Sequence, residues 1–319
     1  MGTYAVTGGA GFIGSHLVDA LVADGHRVRV VDDLSTGKPE NLNPRCEMLH
    51  GDVCDPALLR RALDGADGCF HLAAIASVAR GNEDWTGTSR VNLGGTVAVL
   101  DAARAAGRAP VVYASSAAVY GKLDGVADED ARPAPRTAYG ADKLASELHA
   151  AAGALVHGVP SVGFRFFNVY GPRQDPASPY SGVISIFAKL IGEGRGVSVH
   201  GDGLQSRDFV HVADVVAHLR AGMRVAQAAA GAPATHVLNV CTGRETSILD
   251  LVLVIAGLCG QSPAVAHGPA RDGDIRRSVG APGKATAVLG VQARTALPDG
   301  LRDTLISLGA ALAPADRAA

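Results

Sequence analysis

A serine and a Tyr-x-x-x-Lys pair are the residues of this sequence whose types and spacing could move protons. Ser116 ends the apolar stretch 110–116, and Tyr139 and Lys143 follow in a helical pattern that starts near Thr137. Residues four apart lie on one face of a helix, so we expect the phenol and the ammonium to point into one cleft. The pKa of a free tyrosine is about 10, and a neighbouring lysine favours its phenolate. We therefore predict that Ser116, Tyr139 and Lys143 are catalytic.

A glycine-rich turn lies near the start of the chain, and its residues could bind a ligand that reacts together with this cluster. The predicted strand 3–6 runs into Thr7-Gly8-Gly9-Ala10-Gly11-Phe12-Ile13-Gly14, and a helix over 15–24 and a strand over 28–32 follow. Glycines let the backbone approach a pyrophosphate, which then lies at the positively polarised N-terminus of the helix. Asp32 ends the second strand, where a carboxylate binds an adenosine ribose and repels a 2′-phosphate. The unit predicts an NAD site, which includes Gly8, Gly11, Phe12, Ile13, Gly14 and Asp32.

Strands and helices continue to alternate along the chain, with further predicted strands over 46–51, 68–74 and 110–116. This alternation predicts an α/β fold, a doubly wound parallel Rossmann sheet with a smaller C-terminal α/β substrate-binding subdomain. We assign residues 1–166 to the NAD-binding domain, with further sheet and helix contributions from about 205–242. Residues 167–204 and 243–312 are assigned to the substrate-binding subdomain, and 313–319 to a disordered tail.

The bulk properties of the chain exclude several classes of partner. A net charge of −2 over 319 residues offers no broad attraction to nucleic acid or to an anionic membrane. The sequence has no signal-peptide pattern and no apolar run long enough to span a bilayer. Its five cysteines are scattered without a C-x-x-C spacing, which is typical of free thiols in a reducing compartment. We therefore expect a cytoplasmic protein with no metal site.

Three motifs resemble the extended short-chain dehydrogenase/reductase family. They are the G-x-x-G-x-x-G spacing of 8–14, the run Asp32-Asp33-Leu34-Ser35-Thr36-Gly37, and His71-Leu72-Ala73-Ala74. The resemblance implies NAD as cofactor and a homodimer through a four-helix bundle, built from the helix over about 88–106 and the Tyr-bearing helix. It also implies further cofactor contacts at Asp33, Ser35, Thr36, Gly37, Asp52, Val53, Leu72, Ala73, Ala74, Asn92 and Phe166. His71 is more typical of a satisfied core histidine than of a general base.

The two residues after Ser116 narrow the chemistry that the resemblance implies. Dehydratases of this family place an Asp-Glu pair there, and UDP-glucuronate decarboxylases place a glutamate two residues before the tyrosine of the V-Y-G motif. Ala117 and Ala118 occupy these positions, and neither can transfer a proton. The run S-A-A-V-Y-G instead resembles the S-A-T-V-Y-G of UDP-glucose 4-epimerases. This resemblance implies reversible oxidation and reduction at one sugar carbon.

The second half of the chain resembles the substrate-binding segments of UDP-N-acetylhexosamine 4-epimerases. Residues 163–176 match R-Y-F-N-V-x-G-x-R-Q-x-P, and Arg271-Asp272-Gly273-Asp274 matches R-x-G-D. The resemblance implies contacts with the sugar and diphosphate, the uracil and the uridine ribose. The implied substrate-binding residues are Ser77, Ser116, Asn168, Val183, Val199, His200, Arg207, Arg271, Asp274 and Ser278. The two arginines suit a diphosphate because a guanidinium bonds phosphate bidentately.

The size of one residue decides which sugar we predict. Ser278 stands where epimerases restricted to plain hexoses carry a bulky tyrosine, so it leaves room for a 2-acetamido group. We predict a UDP-GlcNAc/UDP-GalNAc 4-epimerase that also acts on UDP-glucose and UDP-galactose. The alternative is a UDP-glucuronate 4-epimerase, although Ile186 stands near the position of its carboxylate-binding arginine. A sugar-nucleotide dehydratase, a decarboxylase and a non-enzymatic NAD-sensing protein remain as lesser alternatives.

Overall fold

A computed structural model describes residues 1–76, 78–123, 125–176, 182–229, 234–270 and 275–314. In chain order the strands are β1 (Thr3–Thr7), β2 (Arg27–Asp32), β3 (Glu47–His50), β4 (Gly68–His71), β5 (Val111–Ser116), β6 (Ser161–Phe166), β7 (Asn168–Tyr170), β8 (Val197–His200), β9 (Ser206–Arg207), β10 (Phe209–His211), β11 (Thr235–Val240), β12 (Thr246–Ser247), β13 (Val265–Gly268) and β14 (Arg277–Ser278). The α-helices are α1 (Phe12–Ala23), α2 (Pro56–Leu63), α3 (Val78–Glu83), α4 (Trp85–Ser89), α5 (Gly95–Ala105), α6 (Ala138–His157), α7 (Val183–Gly192), α8 (Val212–Ala228), α9 (Ile248–Cys259), α10 (Gly283–Leu289) and α11 (Leu297–Ser307). A π-helix, Arg90–Gly94, joins α4 to α5.

A parallel seven-stranded sheet forms the centre of the fold, in the order β11-β6-β5-β4-β1-β2-β3. The chain moves outward from β1 to β2 and β3, then returns to the other side of β1 with β4. This reversal creates a crevice at the carboxyl ends of β1 and β4, which is where ligands bind in such sheets. The predicted doubly wound α/β fold is confirmed.

Apolar side chains cover both faces of the sheet. One core joins α1 and α8 to the sheet around Leu17, Phe164 and Leu219. The other joins α2, α5 and α6 to the opposite face around Leu59 and Val99. Strands that are buried on both faces explain the nearly continuous apolar runs of the sequence.

Helix α6 carries the predicted Tyr-x-x-x-Lys pair, and its ends have clear local causes. Thr137 caps its first turn by accepting a hydrogen bond from the Gly140 amide at 3.1 Å. Gly158 ends it with a φ of 67°, a left-handed conformation that glycine adopts without strain. The predicted start near Thr137 is confirmed.

A third core lies under α7, α9 and α11 and is built around Tyr170, Leu251 and Leu301. Short strands surround it in three small sheets: β7 with β10, β8 with β13, and β12-β9-β14. In the last of these, Ser278 is the register partner of Arg207. Two predicted substrate-binding residues are therefore neighbours on adjacent strands.

The helix predicted over about 88–106 is present, and it contains the π-helical turn Arg90–Gly94. The last helix begins at Leu297, where Pro298 fits a first helical turn. The predicted tail lies largely outside the described residues, which end at 314. Within the described part of the chain, no helix is long and apolar enough to cross a membrane.

Candidate active site

The fold brings Ser116, Tyr139 and Lys143 together at the carboxyl end of β5. Ser116 ends that strand, and its Oγ accepts a hydrogen bond from the Ala118 amide at 3.1 Å. The phenol of Tyr139 lies close enough to the Ser116 side chain for that hydroxyl to lower its pKa. The Lys143 Nζ lies 5.8 Å from the centroid of the Tyr139 ring and donates to the carbonyl oxygen of Ala114 at 2.8 Å. The three predicted catalytic side chains thus form one cluster.

Burial dominates the electrostatics of this cluster. Loss of solvation lowers the pKa of Lys143 to about 8, against a smaller upward effect of Asp142. The same loss of solvation raises the pKa of Tyr139, and its hydrogen bond with Ser116 lowers it in part. In the protein alone the shift of the Tyr139 pKa is therefore upward, opposite to the shift that the sequence led us to expect. The buried Lys143 ammonium donates a hydrogen bond to the Ala114 carbonyl oxygen, and this bond partly offsets the cost of removing the charge from water.

The glycine-rich turn forms an open cradle between β1 and α1. Gly8 has a φ of 71°, and a side chain there would press within 2.6 Å of the Ala73 backbone nitrogen. A Cβ on Gly11, in contrast, would meet a single atom within 4 Å, the Gly8 carbonyl oxygen at 3.2 Å. No side chain caps the first turn of α1, which leaves the amides of Phe12, Ile13 and Gly14 as donors. The turn fits the pyrophosphate of a dinucleotide.

The loop after β2 is organised by its two aspartates. Asp32 is buried, and its carboxylate accepts hydrogen bonds from the amides of Ala10 and Leu34, both at 2.9 Å. A carboxylate has about four acceptor sites, so capacity remains for a ribose hydroxyl. Burial raises the pKa of Asp32, and the two amides oppose this effect. Asp33 accepts from the amide and the hydroxyl of Ser35, which closes the loop around Thr36 and Gly37.

The strand β4 leads into a segment held by a buried polar chain. The His71 ring bonds Thr7 at 2.8 Å through Nδ1 and Thr96 at 3.1 Å through Nε2. Thr96 gives its own hydroxyl proton to the carbonyl of Asn92, so Nε2 of His71 carries the ring proton. Burial lowers the pKa of His71 to about 3. The prediction of a satisfied core histidine is confirmed.

Asn92 fastens the backbone that follows β4. Its side chain is fully buried in the π-helix, where it accepts from the Ile75 amide at 2.8 Å and donates to the Ile75 carbonyl at 3.2 Å. The segment between, with Leu72, Ala73 and Ala74, is thereby held along the rim of the crevice. π-helical turns are frequent at functional sites.

The remaining predicted cofactor residues border the same edge of the sheet. Asp52 follows β3 and forms an ion pair of 2.7 Å with Arg90, and Val53 is buried beneath it. An amide hydrogen bond from Cys54 and the Arg90 charge lower the pKa of Asp52. Phe166 ends β6 as the register partner of Ser116. Arg90 was missed from the sequence, where a lone arginine carries no signal.

Several of the predicted substrate residues line two pockets. Asn168 begins β7 and lines a pocket together with Val183, Gln174 and Phe209. A second pocket is lined by Ser278, Ala117, Tyr120 and Phe167 among others. Ser278, whose size decided the predicted sugar, therefore lines the same pocket as Ala117, the residue after the predicted catalytic Ser116.

Three of the predicted substrate residues are engaged in ways the sequence did not indicate. The Val199 side chain is buried in the third core, so a ligand would meet its backbone. His200 bonds the Pro269 carbonyl through Nδ1 at 3.3 Å. Arg207 donates to the carbonyls of Ser206 and Ile275, which holds its guanidinium against the strand. The predicted contacts of Ser77, Arg271 and Asp274 fall outside the described residues.

A buried aspartate that the sequence analysis missed ties the substrate side together. Asp208 lies between β9 and β10, and its carboxylate accepts from Thr242, Gly243 and Gly280. These contacts join the loops after β11 and β14 to Arg207, the neighbour of Asp208. The signal in the sequence was an acidic residue directly before the mostly apolar run 209–212.

Comparison with known proteins gives full-length similarities. Residues 4–241 match the sequence profile of the NAD dependent epimerase/dehydratase family. The UDP-glucose 4-epimerase of Mycolicibacterium smegmatis is 40% identical over 309 residues, which cover 94% of this chain and 96% of that protein. A dTDP-glucose 4,6-dehydratase of Streptomyces niveus is 35% identical over 315 residues, which cover 94% of this chain and 90% of that protein.

A solved structure is similar over a comparable length. It is the UDP-N-acetylglucosamine 4-epimerase from Methanobrevibacter ruminantium M1 in complex with UDP-N-acetylmuramic acid. The TM-score is 0.90 at 32% sequence identity, and the match covers 96% of this chain and 97% of that chain. Both the sequence and the backbone of this chain are thus similar to those of nucleotide-sugar enzymes over nearly their whole length.

Proposed function

The chain belongs to the NAD dependent epimerase/dehydratase family, and from this premise we propose that it is a UDP-sugar 4-epimerase that keeps NAD bound. Membership confirms the predicted family and its NAD cofactor. The observation that carries the choice of reaction is the pair Ala117 and Ala118, directly after the serine that lies beside Tyr139. Dehydration and decarboxylation need an acid or base at these positions, and an alanine supplies neither.

The clustered side chains have distinct roles in the proposed mechanism. When bound, NAD would supply the acceptor for a hydride from C4 of the sugar and the donor that returns it to the opposite face. Tyr139 takes the proton of the 4-hydroxyl as a base and gives it back after the 4-keto sugar has turned over. Ser116 hydrogen-bonds the same oxygen, and Lys143 holds the cofactor ribose. Burial raises the pKa of Tyr139 in the protein alone, and the positive charge of a bound oxidised nicotinamide would favour the phenolate.

The residues proposed to hold NAD surround the crevice between β1 and β4. The turn 8–14 would bind the pyrophosphate, Asp32 and the loop 33–37 the adenosine ribose, and Asp52 and Val53 the adenine. The segment 72–74, Asn92 and Phe166 would border the nicotinamide. We further propose that residues 1–166 with about 205–242 form this NAD-binding part, and that 167–204 and 243–312 form the substrate-binding part.

We propose UDP-GlcNAc and UDP-GalNAc as the main substrate pair, with UDP-glucose and UDP-galactose also accepted. Ser278 and Ala117 are small and line the same pocket, so neither side chain would block a 2-acetamido group there. The similarity to a UDP-N-acetylglucosamine 4-epimerase points the same way. Ile186 packs against the third core, so the position expected to bind a uronate carboxylate is apolar.

An assay without added NAD tests the proposal. The purified protein is incubated separately with UDP-GlcNAc, UDP-glucose and UDP-glucuronate, and the products are separated by chromatography. We expect UDP-GalNAc from UDP-GlcNAc, a smaller conversion of UDP-glucose, and loss of both in Tyr139→Phe with NAD still bound. Conversion of UDP-glucuronate alone would refute the substrate, and accumulation of NADH in step with product would refute epimerisation.

We also propose a homodimer through α5 and α6. Ala141, Ala145, Leu148, Ala152 and Leu155 repeat along α6 at spacings of four and three, and Leu148 and Leu155 are 64% and 74% exposed. This spacing is that of a helix seam, and exposed apolar rows of this kind mark interaction surfaces. Leu148→Glu with Leu155→Glu should convert the dimer to a monomer in size-exclusion chromatography. The free thiols of all five cysteines support a cytoplasmic location.

A further inference from the structure

A buried ion pair lies directly behind the catalytic cluster. Glu147 and Arg165 are each 6% exposed, and the guanidinium grips the carboxylate with two hydrogen bonds, Nε to Oε1 at 2.9 Å and Nη2 to Oε2 at 2.8 Å. The hydroxyl of Ser115 donates a third hydrogen bond to Oε1. The mechanism proposed above uses none of these three side chains.

The carboxylate connects the two elements that carry the catalytic residues. Glu147 follows Tyr139 by eight residues and Lys143 by four, so all three share one face of α6. Ser115 precedes Ser116 on β5, and the register partner of Ser115 on β6 is Arg165. One carboxylate therefore sets how α6 sits on the strand that ends at Ser116.

The other side of the guanidinium reaches the turn that follows Ser116. The Arg165 guanidinium carbon lies 4.7 Å from the centroid of the Tyr120 ring, and Tyr120 ends the 3₁₀ turn for which Ser116 is the cap. The Tyr120 hydroxyl donates to Asn239 on β11 at 2.7 Å. Arg165 thus contacts, through two partners, both the helix of Tyr139 and the turn of Ser116.

Stability alone does not account for this arrangement. Removing two charges from water costs several kcal/mol per ion, and apolar residues of equal volume are often as stable or more so. In addition, the Arg165 Nη1 has no hydrogen-bond partner within the described part of the chain, so the pair is not fully compensated. The two parallel hydrogen bonds instead fix the distance and the angle between α6 and β6, and reaction rates are sensitive to how the residues on such elements are placed.

We propose that Glu147 and Arg165, with Ser115, are positioning residues that hold Ser116 at its working distance from Tyr139 and Lys143. This inference rests on the proposed function, because its effect is on the 4-epimerase reaction. Since the side-chain hydrogen bonds of Ser115, Glu147 and Arg165 join these three residues to one another, substrate and cofactor binding should be largely independent of them.

The test replaces the ion pair by apolar side chains of similar length. In Glu147→Met/Arg165→Met we expect kcat to fall about 100-fold, the effect of roughly 1 Å of misplacement, while KM changes less than about threefold. Bound NAD and the midpoint of thermal unfolding should stay close to those of the wild type. The exposed pair Glu193–Arg195, changed to methionine in the same way, serves as control and should leave kcat unchanged.

A second variant covers the case in which the double variant does not fold. Ser115→Ala removes only the third hydrogen bond, and its kcat should fall about three- to tenfold at nearly unchanged stability. Wild-type kcat in a folded Glu147→Met/Arg165→Met, or in Ser115→Ala when the double variant does not fold, would overturn the inference. Lack of turnover in the wild type itself would instead refute the proposed function.

Discussion

Lys143 donates a hydrogen bond from Nζ to the carbonyl oxygen of Ala114, 2.8 Å away and two residues before Ser116 on the same strand. The bond joins the Lys143 side chain of α6 to β5, and it leaves the ammonium over the ring of Tyr139. Lys143 is only 2% exposed, so its charge lacks the stabilisation that solvent would give it. The residue proposed to serve catalysis therefore lowers the stability of the fold.

Replacing Lys143 by methionine should raise stability and lower activity. The pKa of Lys143 falls from 10.5 to about 8, which corresponds to about 3 kcal/mol of disfavoured protonation below pH 8. This penalty diminishes as the pH rises from 8 toward 10.5. In that range the folded state has already released the proton, and the unfolded state still binds it until the pH approaches 10.5. The lost hydrogen bond to Ala114 offsets about 1 kcal/mol, so we expect a net gain of about 1 to 2 kcal/mol at pH 7.

Two measurements check this prediction. Urea unfolding at pH 7 should show the gain, and the epimerase assay should show a loss of kcat of at least about 100-fold, since Lys143 is proposed to hold the cofactor ribose and a misplacement of about 1 Å costs about that much. Lys189→Met, at an exposed position of α7, is the control and should change stability by less than about 0.5 kcal/mol. A destabilised Lys143→Met would show that the buried ammonium is not strained.

Gly11→Ala should separate cofactor binding from folding. Gly11 has a φ of −77° and a ψ of −179°, which alanine adopts freely, and its Cβ would project into the open side of the turn. We expect normal stability, and an NAD content after purification reduced at least about tenfold. The absorbance of NAD released from the denatured protein measures the content.

Gly14→Ala is the contrasting variant of the same turn. A Cβ on Gly14 would lie within 2.8 Å of the Gly9 Cα, so the backbone of the turn has to move. We expect this variant to lose stability as well as NAD. Full retention of NAD by Gly11→Ala would contradict the placement of the pyrophosphate over α1.

Much of this site followed from local sequence patterns. The turn 8–14, the terminal Asp32 and the Tyr139–Lys143 spacing are each set within one strand-turn-helix unit, so their placement needs no long-range information. The ion pair Glu147–Arg165 could not be predicted in this way, because it depends on how α6 lies on β6.

Burial explains the other differences between expectation and structure. The pKa of Tyr139 moves upward because the fold removes the phenol from solvent, and solvation is not visible in a spacing of four residues. The Val199 side chain turns into the third core because β8 alternates between core and surface, and the resemblance alone did not set that register. The sequence therefore indicated which residues meet, and packing determined their charge states and orientations.

Ser278→Tyr should restrict the enzyme to plain hexoses. Ser278 lines its pocket beside Ala117 and Tyr120, and a tyrosine there would occupy the space proposed for the acetamido group. We expect kcat/KM for UDP-GlcNAc to fall on the order of 100-fold while that for UDP-glucose stays within about threefold. Ser278→Ala keeps the space and should leave both values close to wild type. An equal loss on both substrates in Ser278→Tyr would place the acetamido group elsewhere.

Acid should destabilise the protein in part through His71. Its folded-state pKa of about 3 lies below the ordinary value of 6.5, so between these pH values His71 is protonated in the unfolded chain and neutral in the folded chain. The resulting loss of stability begins as the pH falls through 6.5 and grows until the pH reaches about 3. Between pH 7.5 and pH 5 it amounts to about 2 kcal/mol. Protonation would also force Nδ1 to donate, which breaks its role as acceptor from Thr7.

A comparison with His71→Gln isolates this contribution. Glutamine does not titrate, so the variant should be less stable at pH 7.5 but lose about 2 kcal/mol less than the wild type on transfer to pH 5. Urea unfolding of both proteins at the two pH values gives the difference, in which the contributions of the other histidines cancel. If both proteins lost the same free energy, His71 would have to be protonated in the folded state, and the hydrogen-bond chain from Thr7 to Thr96 would need a different assignment of protons.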